Sequence, residues 1–557
     1  MANGTGTTDA TIDGGELIAR VLARAGVRNL FCLQGGHIDP ILFGCEDAGI
    51  RIIDTRHEQA AAHMAEGWAR ATGETGVCAV TAGPGFSDAV TGLANAFIEG
   101  SPLLCLAGAS PLAEADTWPL QDLDQLGIAR PVTKWARSCP TARRIGDYTA
   151  SALGQARSGR PGPVYLDVPI DVLKQRLPAS TPVPELELPT PPGAAPEALA
   201  AALRLLEQAE RPLLVVGSGA HWSRAGAALA RLGERAGLPI VSVNQGRGVL
   251  PDGHDWSFAL PALFQHAREA DAVCCLGVRL GWPLMRGRLF GDTPMIRVDL
   301  ESTETTRNRP GEVNLVADVR VFCEQLADGW QGGVSRAREA WGDRLRVSEE
   351  NLKKGMASLL AGRAGKPIHP LALAAAAVEA AGPEASFVGD GGNILTWSMV
   401  SFPAQAPGRV MGTGGYLGCL GVGIPFALAA KLARPESPVI LLEGDGSFGL
   451  NAMEFDTAVR HDLPIVCLVA NDGSWGMSRH GQMHHHAGRT VATELGVRPY
   501  HEVVRALGGY GEQVEDTEAL RPAIERALAS GKPACLNVVI DREVRSPWAA
   551  MMDESGE

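Results

Sequence analysis

Two carboxylates at the ends of two apolar runs carry the strongest chemical signal in this chain. The run 439–443, VILLE, leads into Gly444, Asp445 and Gly446, and the run 464–470, PIVCLVA, leads into Asn471, Asp472, Gly473 and Ser474. Both runs have the continuous apolar character of strands buried in a parallel sheet. Between them Leu450, Met453, Phe455, Ala458 and Val459 form the apolar positions of a helical segment. The stretch therefore reads as strand, acidic turn, helix, strand, acidic turn. In a parallel sheet both turns fall at the carboxyl ends of strands, where open α/β sheets bind ligands. Asp445 and Asp472, 27 residues apart in sequence, are then expected close together in space. Two such carboxylates repel unless a cation stands between them, and oxygen ligands of this kind suit Mg²⁺ held together with substrate phosphates. Gly444, Gly446 and Gly449 also spell the Gly-x-Gly-x-x-Gly of a dinucleotide loop after a strand. Asp445 opposes that reading, because a carboxylate inside a phosphate loop needs a metal beside it.

The elements that must position these residues repeat the same alternation along the chain. Residues 12–180 alternate helical patterns with strands such as NLFCLQ, GVCAVTAG, SPLLCLAG and GPVYLDVP, the signature of a doubly wound α/β domain. The segment 176–196, rich in Pro and polar residues, reads as a linker. A second α/β domain is expected over 195–332, with strands in RPLLVVGSGA, LPIVSVNQGRG, DAVCCLGVRL and PMIRVDL. The charged stretch 334–365 predicts a helical connector. A third domain, 366–545, holds both acidic turns and ends in the strand PACLNVVID (533–541). The expected fold is thus α/β, three doubly wound parallel-sheet domains.

Composition bounds the partners. The chain has 557 residues and 45% hydrophobic content, enough for several cores. Its 50 basic and 63 acidic residues give a net charge of −13, which disfavours nucleic acid and anionic membranes as partners. No run of apolar residues is long enough to span a membrane, and MANGTGTTDATIDGG lacks a basic-then-apolar leader pattern, so a cytoplasmic location is expected. The eleven cysteines show no Cys-x-x-Cys or Cys-x-x-His spacing and read as reduced, buried small hydrophobes. His484, His485 and His486 read as an exposed loop, since three adjacent histidines cannot all face one ion.

The stretch 438–476 resembles the thiamine diphosphate motif, Gly-Asp-Gly followed some two dozen residues later by Asn-Asn. That resemblance implies Mg²⁺ bound by Asp445, Asp472 and the main-chain carbonyl of Ser474, with the diphosphate held by the metal and by Gly444, Gly446, Ser447, Trp475 and Gly476. Asp472 departs from the usual Asn but is an equally hard ligand. In the same family a carboxylate hydrogen-bonds the aminopyrimidine ring and drives deprotonation of the thiazolium C2. The segment IIDTRHE (52–58) is similar to the family's strand-Arg-His-Glu, which implies that Glu58 has this role. Burial beside an apolar ring should raise its pKa.

The resemblance covers nearly the whole chain in the domain order of acetolactate synthase and pyruvate decarboxylase relatives, and its pattern is most similar to benzaldehyde lyase. The matching segments are GELI…LFCLQGGHID (15–39), IIDTRHE, VTAGPGFSDAVTGLANAF (80–97), PVTKWA (131–136), GYLGCLGVG (415–423) and SWG (474–476). They imply His37 facing the reactive carbon, Gln121 beside the cofactor, and Gly35, Gly36 and Gly85 allowing its close approach. They also imply Leu420 as the apolar wedge between the two rings and the Gly418 carbonyl as acceptor from the aminopyrimidine. Where benzaldehyde lyase has aromatic walls this chain has Ile170, Leu395, Met477 and Gly481, which implies smaller or more aliphatic substrates.

The segment GVRLGWPLMRGRLF (277–290) looks more like the 2-hydroxyacyl-CoA lyases, where Arg247, Arg279, Arg286 and Arg288 would meet a CoA diphosphate. The flavin-contacting insert of acetolactate synthases is absent between Gly253 and Asp271, so FAD is not expected. The implied activity is a thiamine diphosphate- and Mg²⁺-dependent carbon–carbon lyase or carboligase acting on acyloins and aldehydes. The alternatives are a 2-hydroxyacyl-CoA lyase, and a 2-keto acid decarboxylase or acetolactate synthase-like enzyme. The implied partners are a small carbonyl substrate, with a CoA thioester as its alternative form, and further copies of the chain in a homodimer or homotetramer. Two other classes compete. A dehydrogenase on the 444–449 loop needs an acidic ribose ligand about 20 residues downstream and no metal. A non-catalytic paralogue predicts loss of Glu58, which is present.

Overall fold

The computed structural model describes residues 10–363, 365–413 and 415–548. It contains three six-stranded sheets in which every neighbouring pair is parallel. The first sheet belongs to a compact unit that runs to residue 189 without residues 70–73; the other two sheets belong to a second unit.

The first sheet is built from β1 (Asn29–Cys32), β2 (Arg51–Asp54), β3 (Gly76–Val80), β4 (Leu103–Ala109), β5 (Trp135–Ser138) and β6 (Pro163–Pro169), ordered β2-β1-β3-β4-β6-β5. Its interior strands are buried along their length, as their apolar runs require. Helix α1 (Glu58–Thr72) leaves the carboxyl end of β2, and α2 (Pro84–Glu99) leaves that of β3. Pro84 suits the first turn of α2, where its missing N–H has no partner to lose. Within the linker read at 176–196, Leu177–Pro178 pairs antiparallel with Thr11–Ile12.

The middle sheet comprises β7 (Pro212–Val216), β8 (Ile240–Ser242), β9 (Ser257–Phe258), β10 (Ala272–Leu276), β11 (Met295–Asp299) and β12 (Val313–Val316), ordered β9-β8-β7-β10-β11-β12. The charged connector is helical, α3 (Arg336–Leu360). The third sheet has β13 (Ser386–Asp390), β14 (Val410–Gly412), β15 (Val439–Gly444), β16 (Val466–Asn471), β17 (Tyr510–Val514) and β18 (Ala534–Val539), ordered β14-β13-β15-β16-β18-β17. Sheets one and three therefore share one strand order. In the third sheet the order reverses between β13 and β15, a switch point that opens a crevice at their carboxyl ends.

Six strands were not singled out by pattern, β13 and the three-residue β14 among them. β9 and β12 are short or half-exposed, β5 carries Arg137, and β17 is largely polar. The single helix expected between the acidic turns is two, α4 (Asp445–Asn451) and α5 (Glu454–Arg460). Phe455 and Ala458 are buried, but Leu450 and Met453 are each 50% exposed. The break between the helices turns those two apolar side chains away from the core. No described helix is long and apolar enough to cross a membrane.

Candidate active site

The carboxyl ends of β15 and β16 bring the two acidic turns together. Asp445 opens α4 and is 3% exposed; Asp472, just past β16, is 9% exposed. Burial, and next the Asp472 charge, push the Asp445 carboxyl up to about 7, against the backbone N–H donors around it. Asp445 Oδ2 has no hydrogen-bond partner among the described residues. Asp472 is also raised by burial, although Ser474 donates to its Oδ1 from both N–H (2.8 Å) and hydroxyl (2.9 Å). Asn471 shapes this turn: its amide donates to Arg498 O and Asn537 Oδ1, and its Oδ1 accepts from Gly473 N–H. Two adjacent buried carboxylates, one with a free oxygen, form a hard-oxygen pair that a divalent cation would neutralise. A metal thus fits the residues present.

Glycines make the room beside this pair. A Cβ on Gly446 would lie 2.6 Å from the Trp475 ring, and one on Gly476 would overlap the Asp472 carboxylate. Gly391 is at φ 112°, and a Cβ there would lie 3.2 Å from Gly444 N. Together these turns line a cavity of about 310 Å³. Its walls include Asp445, Asp472 and Ser474, with Gly444, Gly446, Ser447, Trp475 and Gly476. Gly418, Leu420, Leu395 and Met477 line it as well. Leu420 sits in a turn whose glycines 418 and 421 have φ of 68° and 83°, conformations that favour glycine. Gly481 lies outside this cavity, half-exposed on α6 (Gly476–His485), with open space where a Cβ would point.

Several lining or supporting residues escaped sequence reasoning. Asp390, at the end of β13, accepts N–H bonds from Gly391 (2.6 Å) and Gly423 (2.8 Å) and so ties the Leu420 turn to the sheet. Asn244, Trp282, Pro283 and Trp548 reach the same cavity from distant segments. Trp282 Nε1 donates to Gly415 O, and the Tyr416 hydroxyl donates to Arg279 O (2.9 Å), which pins the 279–283 loop against the 415–416 turn.

In the first unit, Glu58 begins α1, is 8% exposed, and has its carboxyl raised chiefly by burial. The space where a Gly85 Cβ would stand is 3.4 Å from Glu58 Oε1. A Cβ on Gly35 would lie 2.5 Å from the Thr81 side chain and one on Gly85 2.6 Å from it, whereas Gly36 is exposed. Thr81 is the centre that the motif reading missed. Its hydroxyl donates to Gln121 Oε1 and lies 3.4 Å from His37 Nδ1, so it can accept from that nitrogen when the nitrogen is protonated. Burial lowers the His37 pKa, which favours neutral imidazole. Gln121 is held at φ 63°, under Gly83. Gln125, also unanticipated, accepts from Gly83 N–H at 2.6 Å and donates to Gly108 O and to the Tyr165 hydroxyl, which itself donates to Asp167. Ile170 packs against the core of this unit.

The four arginines have different settings. Arg247 donates to Met399 O and Phe402 O and pairs with Asp252 at 3.0 Å. Arg279 lies over the Tyr416 ring and 3.8 Å from Glu304. Arg286 and Arg288 are exposed.

Comparison with known proteins follows the same three-sheet division. The N-terminal TPP binding domain of thiamine pyrophosphate enzymes matches residues 12–128, the central domain 199–326 and the C-terminal TPP binding domain 390–538. The chain is 38% identical to a probable acetolactate synthase of Mycobacterium bovis, over 96% of this chain and 97% of that protein. It is 32% identical to human 2-hydroxyacyl-CoA lyase 2, over 95% and 90%. It is 30% identical to 2-hydroxyacyl-CoA lyase of Arabidopsis thaliana, over 97% and 98%.

Proposed function

The chain belongs to the thiamine pyrophosphate enzymes, and we propose that within them it is a Mg²⁺-dependent carbon–carbon bond lyase and carboligase acting on 2-hydroxy ketones and aldehydes. The observation that carries this is the buried Asp445–Asp472 pair beside the glycine-walled cavity. Asp445, Asp472 and the Ser474 carbonyl would hold Mg²⁺, and through it the diphosphate. Bound there, thiamine diphosphate supplies a carbon nucleophile that can also carry the electron pair of a broken carbon–carbon bond.

The chain's own residues orient, exclude water and move protons. Glu58 would hold a proton against the aminopyrimidine ring nitrogen, a task suited to a carboxyl whose pKa is raised. Leu420 would prop the two rings, and the Gly418 carbonyl would accept from the amino group. His37, Thr81 and Gln121 form a chain that can pass a proton to or from the substrate oxygen. Leu395 and Met477 give an aliphatic, adaptable wall. The working unit is at least a dimer in which Glu58 of one chain serves the metal site of another. The reading includes no flavin.

Kinetics with acetoin, benzoin, pyruvate and a 2-hydroxyacyl-CoA, each with thiamine diphosphate and Mg²⁺, test the assignment. Highest kcat/KM on acetoin or its aliphatic homologues is expected. A preference for pyruvate would instead favour the acetolactate synthase-like reading, and a preference for the thioester the lyase named in the relatives. A preference for benzoin would overturn the aliphatic wall.

A further inference from the structure

A second cavity, of about 410 Å³, lies between the middle and third sheets and is larger than the one holding the carboxylate pair. Asn244, Leu395, Met399 and Thr413 line both spaces, so the two adjoin along a shared wall. We propose that the larger cavity receives an extended apolar tail of the substrate whose carbonyl reacts in the smaller one. This rests on the lyase and carboligase reading above.

Three observations support an apolar occupant. Phe258, Leu260, Leu352, Met356 and Phe402 supply the apolar part of a wall that also holds His221 and Glu349, whose Oε1 accepts from Ala259 N–H, and the cavity's size is that of a small-molecule site. Its two arginines are already engaged: Arg70 donates to Gly412 O at 2.7 Å, and Arg247 is bound to Met399 O, Phe402 O and Asp252. A phosphorylated arm would have to break those bonds, whereas a hydrocarbon tail needs none of them. Lys353, exposed on α3, marks the rim where the cavity meets solvent, so a tail longer than the cavity has an exit.

The shared wall makes tail length part of specificity. Each methylene taken into the cavity should raise kcat/KM by about fourfold until the space is filled. Leu352 and Met356 stand on one face of a long surface helix, where an enlarged side chain can fill the cavity without entering a sheet.

The test is carboligation of straight-chain aldehydes from acetaldehyde to decanal by the full chain with cofactor and Mg²⁺. Wild type should show the rising series. Leu352→Trp and Met356→Trp should lower the decanal-to-acetaldehyde ratio of kcat/KM tenfold or more. An unchanged ratio in both variants would overturn the tail pocket while leaving the reaction assignment standing.

A second measurement needs no turnover. All eleven native cysteines are buried, so Met356→Cys offers one reactive thiol to a maleimide. 2-Dodecanone should slow labelling at least fivefold and acetone should not. Equal labelling with both, stronger protection by free CoA, or a flavin retained on the purified protein would each overturn the proposal. Loss of turnover with every aldehyde would sink the reaction assignment instead, and the labelling result would still decide what the cavity accepts.

Discussion

Asp390 and Glu443 stand opposite one another on the adjacent strands β13 and β15, both fully buried, and Glu443 precedes Asp445 by two residues. Glu443 accepts from the Cys467 thiol at 3.0 Å through Oε1, while its Oε2 has no partner among the described residues. Burial first, then the Asp390 charge, hold the Glu443 carboxyl well above the ordinary range. Such a group stabilises the fold fully below its unfolded pKa of about 4.5, and that contribution is lost as pH rises through its folded pKa. Glu443→Gln keeps an acceptor for Cys467 and removes the charge. It should stabilise the protein by about 1–3 kcal/mol at pH 8 and by little at pH 4.5. Urea denaturation at the two pH values checks this; an equal effect at both would show that Glu443 does not titrate on unfolding.

Glu58→Gln should keep the fold and bind thiamine diphosphate, yet slow hydrogen–deuterium exchange at the cofactor's C2 by about 10²–10⁴-fold. NMR of the exchanged cofactor after acid quench measures this directly. Exchange at the wild-type rate would remove Glu58 from the reaction.

Asp445→Ala should abolish Mg²⁺-dependent retention of thiamine diphosphate, because it removes the buried carboxylate whose Oδ2 has no partner among the described residues. Asp472→Asn should cost little, since an amide oxygen can still accept from both Ser474 donors. Equilibrium dialysis with and without EDTA distinguishes them. A large loss in Asp472→Asn would show that the metal needs both charges.

Gly446→Ala places a methyl 2.6 Å from the Trp475 ring, so the ring must move. The strain should destabilise the fold by about 1–3 kcal/mol and weaken cofactor binding. Quenching of tryptophan fluorescence by thiamine diphosphate and a thermal melt report both effects. Wild-type values in both would mean that the ring shifts freely and does not shape the site.

Mixing inactive Glu58→Gln chains with inactive Asp445→Ala chains should restore activity in heterodimers, at the site assembled from two intact halves. Light scattering that finds a fully active monomer would rule out shared sites.

Much of this was legible in the sequence because the chemistry is local there. The runs 439–443 and 464–470 are buried strands, and the turns after them do meet. Glu58 begins a helix after a short strand, as its segment implied. What stayed hidden depends on contacts that no local pattern encodes. Thr81 joins His37 to Gln121 across 44 and 40 residues, and Gln125 reaches back 42 residues to Gly83. Asp390 belongs to no motif in the sequence, and its part shows only in the N–H that Gly423 donates to it. Trp282 reaches the cavity because its loop is pinned to Gly415. The single helical segment expected between the acidic turns failed in the opposite way: Phe455 and Ala458 are buried as its spacing required, but it is two helices and Leu450 and Met453 are half-exposed.

The order of strands also bears on synthesis. The first sheet has all six strands once Pro169 has left the ribosome, so it can close while most of the chain is still unmade. The third sheet cannot, because β18 is made last yet lies inside, between β16 and β17. A nick or premature stop ahead of Ala534 would not trim an edge from that sheet. It would split it, leaving β16 with a bare edge and β17 with no neighbour, an open template for aggregation.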